Sequence, residues 1–463
     1  MKKTVIIAIS LLLCLSAYAQ ENPAKVKLGG FIRQYTVVDT RAVKAGTQDL
    51  YFYMPQDISL NSDGEDLNDG LTWRSPSLTS RLWIDVKDYK WQNMSVTGRV
   101  EADFYSLNGT SASTTVAQLR LRRAFVKLGW DEKPYTLLVG QDWHPLAADL
   151  PHMTNLESGA PFNPFNRSPQ VTFDYKVKDF TFTGSLLYLN HYLPTGPSGK
   201  SMDYYKYGFP ELYLGVSYKK GGLLARAGVD VINSKPIGYV GYNNTTVIAS
   251  DGASGYVSKT VTDDSKLVRG YTMDKKVAKA SGILTAISPF VYCQYTKDLF
   301  QVKAKAILAQ SGEQFNLLSG YGLASADDTK YEYTYTPMQD LASFVSFQYG
   351  KKFQVLGMIG YMKQLGTTRD LLVNASGAPT DLWLNGAADT RIQQAFRATP
   401  TVAWNFGKFT VSLEYNFTAA EFGNSKAAGY SDDAKRASNG LFKIGDTHWV
   451  HNHRFICMTK FTF

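Results

Sequence analysis

The amino-acid sequence predicts an all-β fold, a transmembrane antiparallel β-barrel of about sixteen strands, with roughly fourteen to eighteen as the range. Three observations predict it. Strands of alternating apolar and polar residues recur from one end of the chain to the other, very short connections alternate with long ones, and an export signal precedes the first strand. Transmembrane barrels combine short turns on the periplasmic side with long loops on the outside.

The first nineteen residues have the pattern of a secretory signal peptide. Lys2 and Lys3 supply positive charge, residues 4–16 form an almost unbroken apolar run, and residues 17–19 (AYA) match the small-x-small cleavage pattern. We expect the mature protein to begin at Gln20, and residues 20–463 to form one barrel. With export, the barrel pattern predicts location in a bacterial cell outer membrane.

The composition excludes several other classes of protein. No run of about 18 apolar residues follows the signal, which argues against a helical membrane protein. Only Cys293 and Cys457 remain after cleavage, too few for a disulfide-dense scaffold. Each lies in an apolar strand, so two small buried hydrophobic residues are favoured and a single disulfide stays open. The net charge of +9 is modest, and an exported protein has little reason to bind nucleic acid.

The strand pattern is clearest in residues 408–420 (KFTVSLEYNFTAA). Apolar and aromatic residues from Phe409 to Phe417 occupy one face, and polar residues from Thr410 to Thr418 occupy the other, as a side-chain period of two requires. The same reading predicts strands at 25–41, 78–90, 94–107, 116–130, 135–143, 167–177, 180–192, 209–220, 223–234, 281–297, 299–311, 338–350, 353–365, 393–406, 408–420 and 448–463.

The connections support a membrane barrel over a soluble β-sandwich. Short turns rich in Gly, Lys and Asp, such as 131–134 and 219–222, join strands in pairs. Segments 42–77, 235–280 and 421–447 are long and polar, which is unusual inside a compact domain but normal on the outer face of a barrel. Predicted strands of ten or more residues also exceed the usual length in soluble sheets.

The chain ends on an aromatic residue. Counting back by twos places Phe463, Phe461, Thr459, Cys457 and Phe455 on one face. This resembles the C-terminal signal that the barrel-assembly machinery reads in outer-membrane proteins, so Phe455, Phe461 and Phe463 are predicted to form an assembly signal. The alternative is an ordinary buried edge strand that happens to come last.

Residues 119–145 (LRLRRAFVKLGWDEKPYTLLVGQDWHP) resemble a hairpin of the sixteen-stranded general porins of Gram-negative bacteria. The resemblance implies passive diffusion of small hydrophilic solutes, a homotrimer, and contact with outer-membrane lipid and lipopolysaccharide. It also implies that the third loop, at about 143–166, folds inward and narrows the pore. This loop departs from the family in holding few acids, Asp149 and Glu157, with Asp142 at its root.

If the apolar strand faces meet lipid, the opposite faces line the pore. The basic residues predicted there are Arg33, Arg81, Arg99, Arg120, Arg122, Arg226, Lys303, Lys305, Arg397 and Arg454; the acidic ones are Asp85, Glu101, Asp103, Asp230 and Glu414. Rings of Lys and Arg favour anions, so we expect a weak anion preference, with a basic wall facing the acids of the third loop. The alternative is that each arginine pairs with a neighbouring acid and sets no selectivity.

One strand has an uncertain phase. In 116–130, Leu119 and Leu121 are in step with each other but out of step with Ala124 and Val126. A β-bulge near Arg122-Arg123 would reconcile the two halves.

Catalytic and metal sites are not predicted. His451 and His453 share a strand face, but no cysteine or carboxylate accompanies them, which favours a polar rim over a metal site. No Gly-x-Ser-x-Gly elbow appears, so no enzyme and no cofactor are expected. A second hypothesis is a barrel whose long loops bind a ligand, glycan or partner protein. Loop 235–280 contains Tyr239, Tyr242, Tyr256 and Tyr271, which suit sugar stacking and loop packing equally.

Overall fold

The structure is a computed structural model of the chain. It describes residues 24–46, 51–105, 118–189, 210–250, 256–372, 382–386, 392–423, 434–436, 442–444 and 447–463. The predicted signal peptide, residues 1–19, and most of loop 421–447 lie outside these ranges.

Sixteen antiparallel strands form a closed barrel, which confirms the predicted fold class and strand number. The first strand pairs with the last, from Phe31 opposite Thr462 to Asp39 opposite Arg454. The barrel strands are β1 Lys25–Arg41, β2 Arg81–Trp91, β3 Met94–Tyr105, β4 Gln118–Trp130, β5 Tyr135–Trp143, β6 Arg167–Val177, β7 Phe180–Leu187, β8 Glu211–Lys220, β9 Leu223–Ser234, β10 Leu284–Lys297, β11 Phe300–Gln310, β12 Glu332–Gly350, β13 Phe353–Thr367, β14 Ile392–Ala398 and Thr401–Phe406, β15 Phe409–Gly423, and β16 Thr447–Thr462.

Twelve of the sixteen strands depart from their predicted limits, and in two of them the departure has a clear structural cause. β12 begins at Glu332 rather than at 338, because its first residues pair with the loop strand Leu318–Asp327 before joining the barrel. β14 is interrupted at Thr399 and Pro400, since proline has no N–H group to donate to a neighbouring strand. The described part of the chain contains no helix with the length and apolarity that a helical membrane crossing requires.

The outer face of the barrel is apolar around its circumference. Exposed outward side chains include Leu186, Leu214, Val291, Val345 and Ile359, the last with 67% of its surface exposed. Cys293 lies on this outer face and is exposed, and Cys457 is partly exposed; both are free thiols. The expectation that these cysteines are buried was therefore wrong for Cys293, because its strand is apolar on both faces.

The inside of the barrel is asymmetric. Strands β10 to β13 carry apolar side chains inward, among them Phe290, Tyr292, Phe344 and Met358, and these belong to one buried hydrophobic cluster. Loop residues complete that cluster from within the barrel. They are Met54 from the first loop, Leu146 and Phe162 from the third, and Phe315, Leu317 and Leu318 from the segment after β11. Long loops therefore contribute to the interior as well as to the outer surface.

The predicted bulge is present in β4. Arg123 lies opposite Glu101, while Leu121 lies opposite the next residue, Ala102, so Arg122 is the extra residue. The bulge keeps Leu121 on the outer face, 47% exposed, while Arg122 is buried. It thus allows two apolar half-strands of opposite phase to share one outer face.

Candidate functional site

The third loop, residues 143–166 and called L3 below, contacts the barrel wall far from its own strands. Glu157 Oε1 lies 3.0 Å from the Arg397 guanidinium on β14, and both side chains are fully buried. Asp149 lies 2.8 Å from Arg226 on β9. The loop is therefore held by two ion pairs to strands that follow it by 77 and 240 residues.

Further hydrogen bonds join the L3 backbone to inward-facing side chains. Lys303 and Lys305 on β11 donate to the carbonyl oxygens of Leu150 and Leu146, the first over 2.9 Å. The Thr154 amide donates to the Glu414 carboxylate on β15. These contacts hold L3 against strands β9, β11, β14 and β15, on one side of the barrel interior.

A cavity of about 180 Å³ lies between L3 and the opposite wall. Four arginines of β1, β2 and β4 form its wall side. The residues that line it are Arg33, Arg81, Arg120, Arg122, Tyr51, Trp143, Leu150, Met153, Thr154, Asn155, Leu156, Ser158 and Phe165. Four of the ten basic residues predicted to line a pore thus meet at one place.

Two carboxylates lie behind these arginines. Arg122 donates to Glu101 over 2.8 Å and to Asp103 over 2.7 Å, and Arg120 donates to Asp103 over 2.9 Å. Arg81 lies 3.3 Å from Glu101. Four arginines therefore face two carboxylates, and the wall keeps an excess of two positive charges.

Arg33 is held by neutral groups. Its Nε donates to Thr79 Oγ1 over 2.9 Å, and its guanidinium lies 4.9 Å from the Phe31 ring centre and 5.1 Å from that of Tyr35. Such contacts orient a guanidinium without neutralising it. Pairing of every arginine with an acid, the alternative raised by the sequence, does not describe this wall.

The L3 side of the cavity is neutral. The acids predicted to face the basic wall from this loop lie elsewhere: Asp142 pairs with Arg123, Asp149 with Arg226, and Glu157 with Arg397. The expected opposition of a basic wall and an acidic loop is thus not what the geometry gives. The acids fasten the loop, and its neutral residues border the cavity.

The other predicted pore-lining bases are placed in the wall or under L3. Arg99 on β3 pairs with Asp85 on the neighbouring strand β2 over 2.6 Å. Arg397 and Arg454 are fully buried, and their guanidinium carbons both lie 4.6 Å from the centre of the Phe52 ring. Arg454 also pairs with Asp39 over 2.8 Å. Together with Arg226, Lys303 and Lys305, these residues hold the interior together.

The remaining sequence-predicted positions lie on the outer surface. Phe455, Phe461 and Phe463 are exposed on the outer face, and the Phe463 amide donates to the Gly30 carbonyl of β1. The His451 and His453 rings lie 5.4 Å apart, and His453 Nδ1 is 2.6 Å from the Tyr415 hydroxyl.

In loop 235–280, Tyr271 is buried and its ring meets Tyr239 edge-on at 6.4 Å. This geometry favours packing within the loop over sugar stacking, and the side chain of Tyr256 is outside the described residues.

Sequence reasoning missed the interior role of two loop segments. Tyr51 lines the cavity, and Phe52 and Met54 in the same segment are fully buried. Phe315, from the segment after β11, accepts a hydrogen bond from the Phe165 amide through its carbonyl oxygen. Composition could have indicated that these segments are buried, because YFYMP at 51–55 and FNLL at 315–318 are mostly apolar or aromatic and lie inside otherwise polar loops.

Comparison with known proteins gives a structural similarity. No protein-family model matches the chain, and no curated protein matches it significantly. The crystal structure of the outer membrane channel DcaP of Acinetobacter baumannii superposes with a TM-score of 0.56 and 16% identity, covering 95% of this chain and 97% of that chain. OmpT of Vibrio cholerae superposes with a TM-score of 0.47 and 12% identity, covering 96% of this chain and 99% of that chain. OmpF of Salmonella typhi superposes with a TM-score of 0.45 and 12% identity, covering 96% of this chain and 100% of that chain. The similarity to DcaP shows that this chain shares its barrel fold.

Proposed function

We propose that the protein is an outer-membrane porin that allows passive diffusion of small hydrophilic solutes, with a weak preference for anions. The apolar outer face supports membrane location. Soluble monomers rarely expose contiguous apolar surface of this extent, whereas a membrane barrel needs an outward apolar band about 25 Å tall.

The observation that carries the anion preference is the cavity between L3 and the arginines of β1, β2 and β4. Its wall holds four guanidinium groups against two carboxylates, and its loop side is neutral because Asp149 and Glu157 pair elsewhere. A solute passing here meets positive charge on one side without an opposing row of acids. Basic rings of this kind favour anions.

Reversal potentials of single channels in a salt gradient test the selectivity. We expect chloride to permeate more readily than potassium, and Arg33→Gln and Arg81→Gln each to reduce the ratio. Lys178→Gln, in the exposed turn between β6 and β7, removes the same charge far from the cavity and leaves the ratio unchanged. A clear cation preference of the wild-type channel would overturn the anion proposal.

Liposome swelling tests diffusion itself. Vesicles that contain the protein are placed in solutes of rising molecular size, and we expect the swelling rate to fall with size. A barrel that is closed, or whose loops only bind a ligand, gives no swelling with any solute. That result would overturn the channel proposal without bearing on the barrel fold.

We propose further that the channel assembles as a homotrimer, with part of the apolar outer face buried between copies. Native mass spectrometry of detergent-extracted protein measures the number of copies. A complex of three chains supports the proposal, and a monomer that persists in mild detergent contradicts it.

A further inference from the structure

His144, Glu211 and Asp230 form a buried cluster that does not line the arginine cavity. His144 follows β5 at the start of L3, Glu211 begins β8, and Asp230 lies on the neighbouring strand β9. We propose that these three side chains form a binding site for a divalent transition-metal ion, for which Zn²⁺ is the probe. The ion would fasten the start of L3 to the barrel wall, a role separate from the proposed channel selectivity.

The spacing of the three side chains fits a tetrahedral ion. His144 Nε2 lies 3.3 Å from Glu211 Oε1 and 3.4 Å from Asp230 Oδ1, and one donor atom from each residue lies within 4.8 Å of the others. Zinc binds imidazole nitrogen and carboxylate oxygen at about 2.0–2.2 Å, which places neighbouring tetrahedral ligands roughly 3.3–3.5 Å apart. One nitrogen and two oxygens are a donor set that Zn²⁺ accepts.

All three side chains of the cluster are buried. The exposed fractions are 0% for His144 and 1% for both Glu211 and Asp230. Within the described part of the chain, the carboxylate oxygens have no hydrogen bond to a group outside the cluster, and their charged neighbour is His144 Nε2, at 3.3 and 3.4 Å. Ionised carboxylates are unfavourable in a buried site unless a cation offsets their charge. A divalent ion would offset that charge and bind oxygens that have no hydrogen bond outside the cluster.

The surroundings of the cluster are aromatic. The Phe315 and Tyr213 rings meet the His144 ring edge-on, with ring centres 4.9 and 6.0 Å away. An apolar shell of this kind excludes water and strengthens the attraction between an ion and its ligands. No salt bridge other than the two with His144 joins Glu211 or Asp230 to a described residue.

Protons are the competing occupants of the cluster. The Leu146 amide donates to His144 Nδ1 over 3.1 Å, an arrangement in which the ring proton is on Nε2 and faces the carboxylates. Metal binding through Nε2 moves that proton to Nδ1, so the Leu146 amide must turn away from the ring. A cluster that holds protons contains no metal, whereas a cluster that holds zinc contains an ion with nitrogen and oxygen ligands, so these two measurements distinguish the two states.

The test measures metal in untagged full-length protein, extracted from membranes of cells grown with added zinc and dialysed without chelator. We expect about one ion per chain by plasma mass spectrometry. The extended X-ray absorption fine structure of the zinc is expected to show one imidazole nitrogen ligand, with oxygen as the remaining ligands. His144→Gln and the isosteric Glu211→Gln should lose most of the ion. His152→Gln, which changes another L3 histidine outside the cluster, should retain it.

The proposal is overturned if wild-type protein holds no stoichiometric metal, or if His144→Gln holds as much metal as His152→Gln. If the cluster variants do not fold, the wild-type measurement decides. Bound zinc with sulfur ligands also contradicts the site. So does the absence of bound zinc after zinc is supplied during refolding. Neither result depends on whether the barrel conducts, so the channel proposal stands or falls separately.

Discussion

The fully buried Glu157–Arg397 pair joins L3 to β14 and leads to a prediction at the residue scale. Removing one partner of a buried pair leaves the other charge uncompensated, which costs about 3–5 kcal/mol. Arg397→Gln should therefore lower the free energy of unfolding by about that amount, measured by guanidinium denaturation of protein refolded into lipid vesicles.

Arg226→Gln is the matched control, since it breaks the second ion pair of L3. The Arg226 side chain is 31% exposed and that of Asp149 is 9% exposed, so water partly screens this pair and we expect a smaller loss than for Arg397→Gln. Equal destabilisation by the two variants would show that burial of the Glu157–Arg397 pair is not what makes it strong.

Residue roles were harder to predict from the sequence than residue faces. Period-two alternation places Arg33, Arg81 and Arg397 on inward faces without knowledge of the fold. It does not reveal that Arg397 lies beneath L3 while Arg33 borders the cavity, because the partner of Arg397 is Glu157, 240 residues earlier. The loop acids were assigned to the cavity for the same reason.

At the scale of elements, L3 packs on β13 at a glycine. A Cβ atom on Gly360 would lie 2.6 Å from Phe162 Cγ, closer than packed atoms tolerate. Gly360→Ala should therefore displace Phe162 and move L3 toward the arginine wall. We expect lower single-channel conductance and a loss of about 1–3 kcal/mol in unfolding free energy.

Gly184→Ala on β7 provides the comparison. There the added methyl group meets only Leu214 Cδ2, at 3.7 Å, so neither conductance nor stability should change appreciably. Unaltered conductance in Gly360→Ala would show that L3 does not set the width of the passage.

The strands were well predicted because their signal is local. β1, β5, β6 and β9 have the predicted limits, and the phase mismatch in β4 correctly indicated a bulge at Arg122. The inward course of L3 came from family resemblance, since loop residues carry no periodicity. Apolar runs at 51–55 and 315–318 contribute to the interior, but sequence alone does not place a loop inside a barrel.

At the scale of the whole molecule, the apolar outer face predicts a stability that depends on depth in the membrane. Val345 is 54% exposed on the outer face of β12, five residues from the short turn after Gly350. Val345→Lys should cost about 2–4 kcal/mol of folding free energy in lipid vesicles, as expected for a lysine near the bilayer midplane.

Phe406→Lys tests the depth dependence. Phe406 is 65% exposed beside the turn at Gly407, where the bilayer interface is expected, so the cost should fall to about 0–1 kcal/mol. Equal costs at both positions would contradict a lipid-facing band.

The contacts between L3 and the barrel wall also affect the order in which the barrel strands assemble. Arg397 and Glu414, which hold the loop, belong to the third-last and second-last strands, so each contact closes a chain segment of at least 240 residues. Contacts of such sequence separation form late. An N-terminal half-barrel made first leaves Glu157 and Phe162 without their final neighbours. We therefore expect L3 to settle against the barrel wall only when β14 and β15 have joined the sheet.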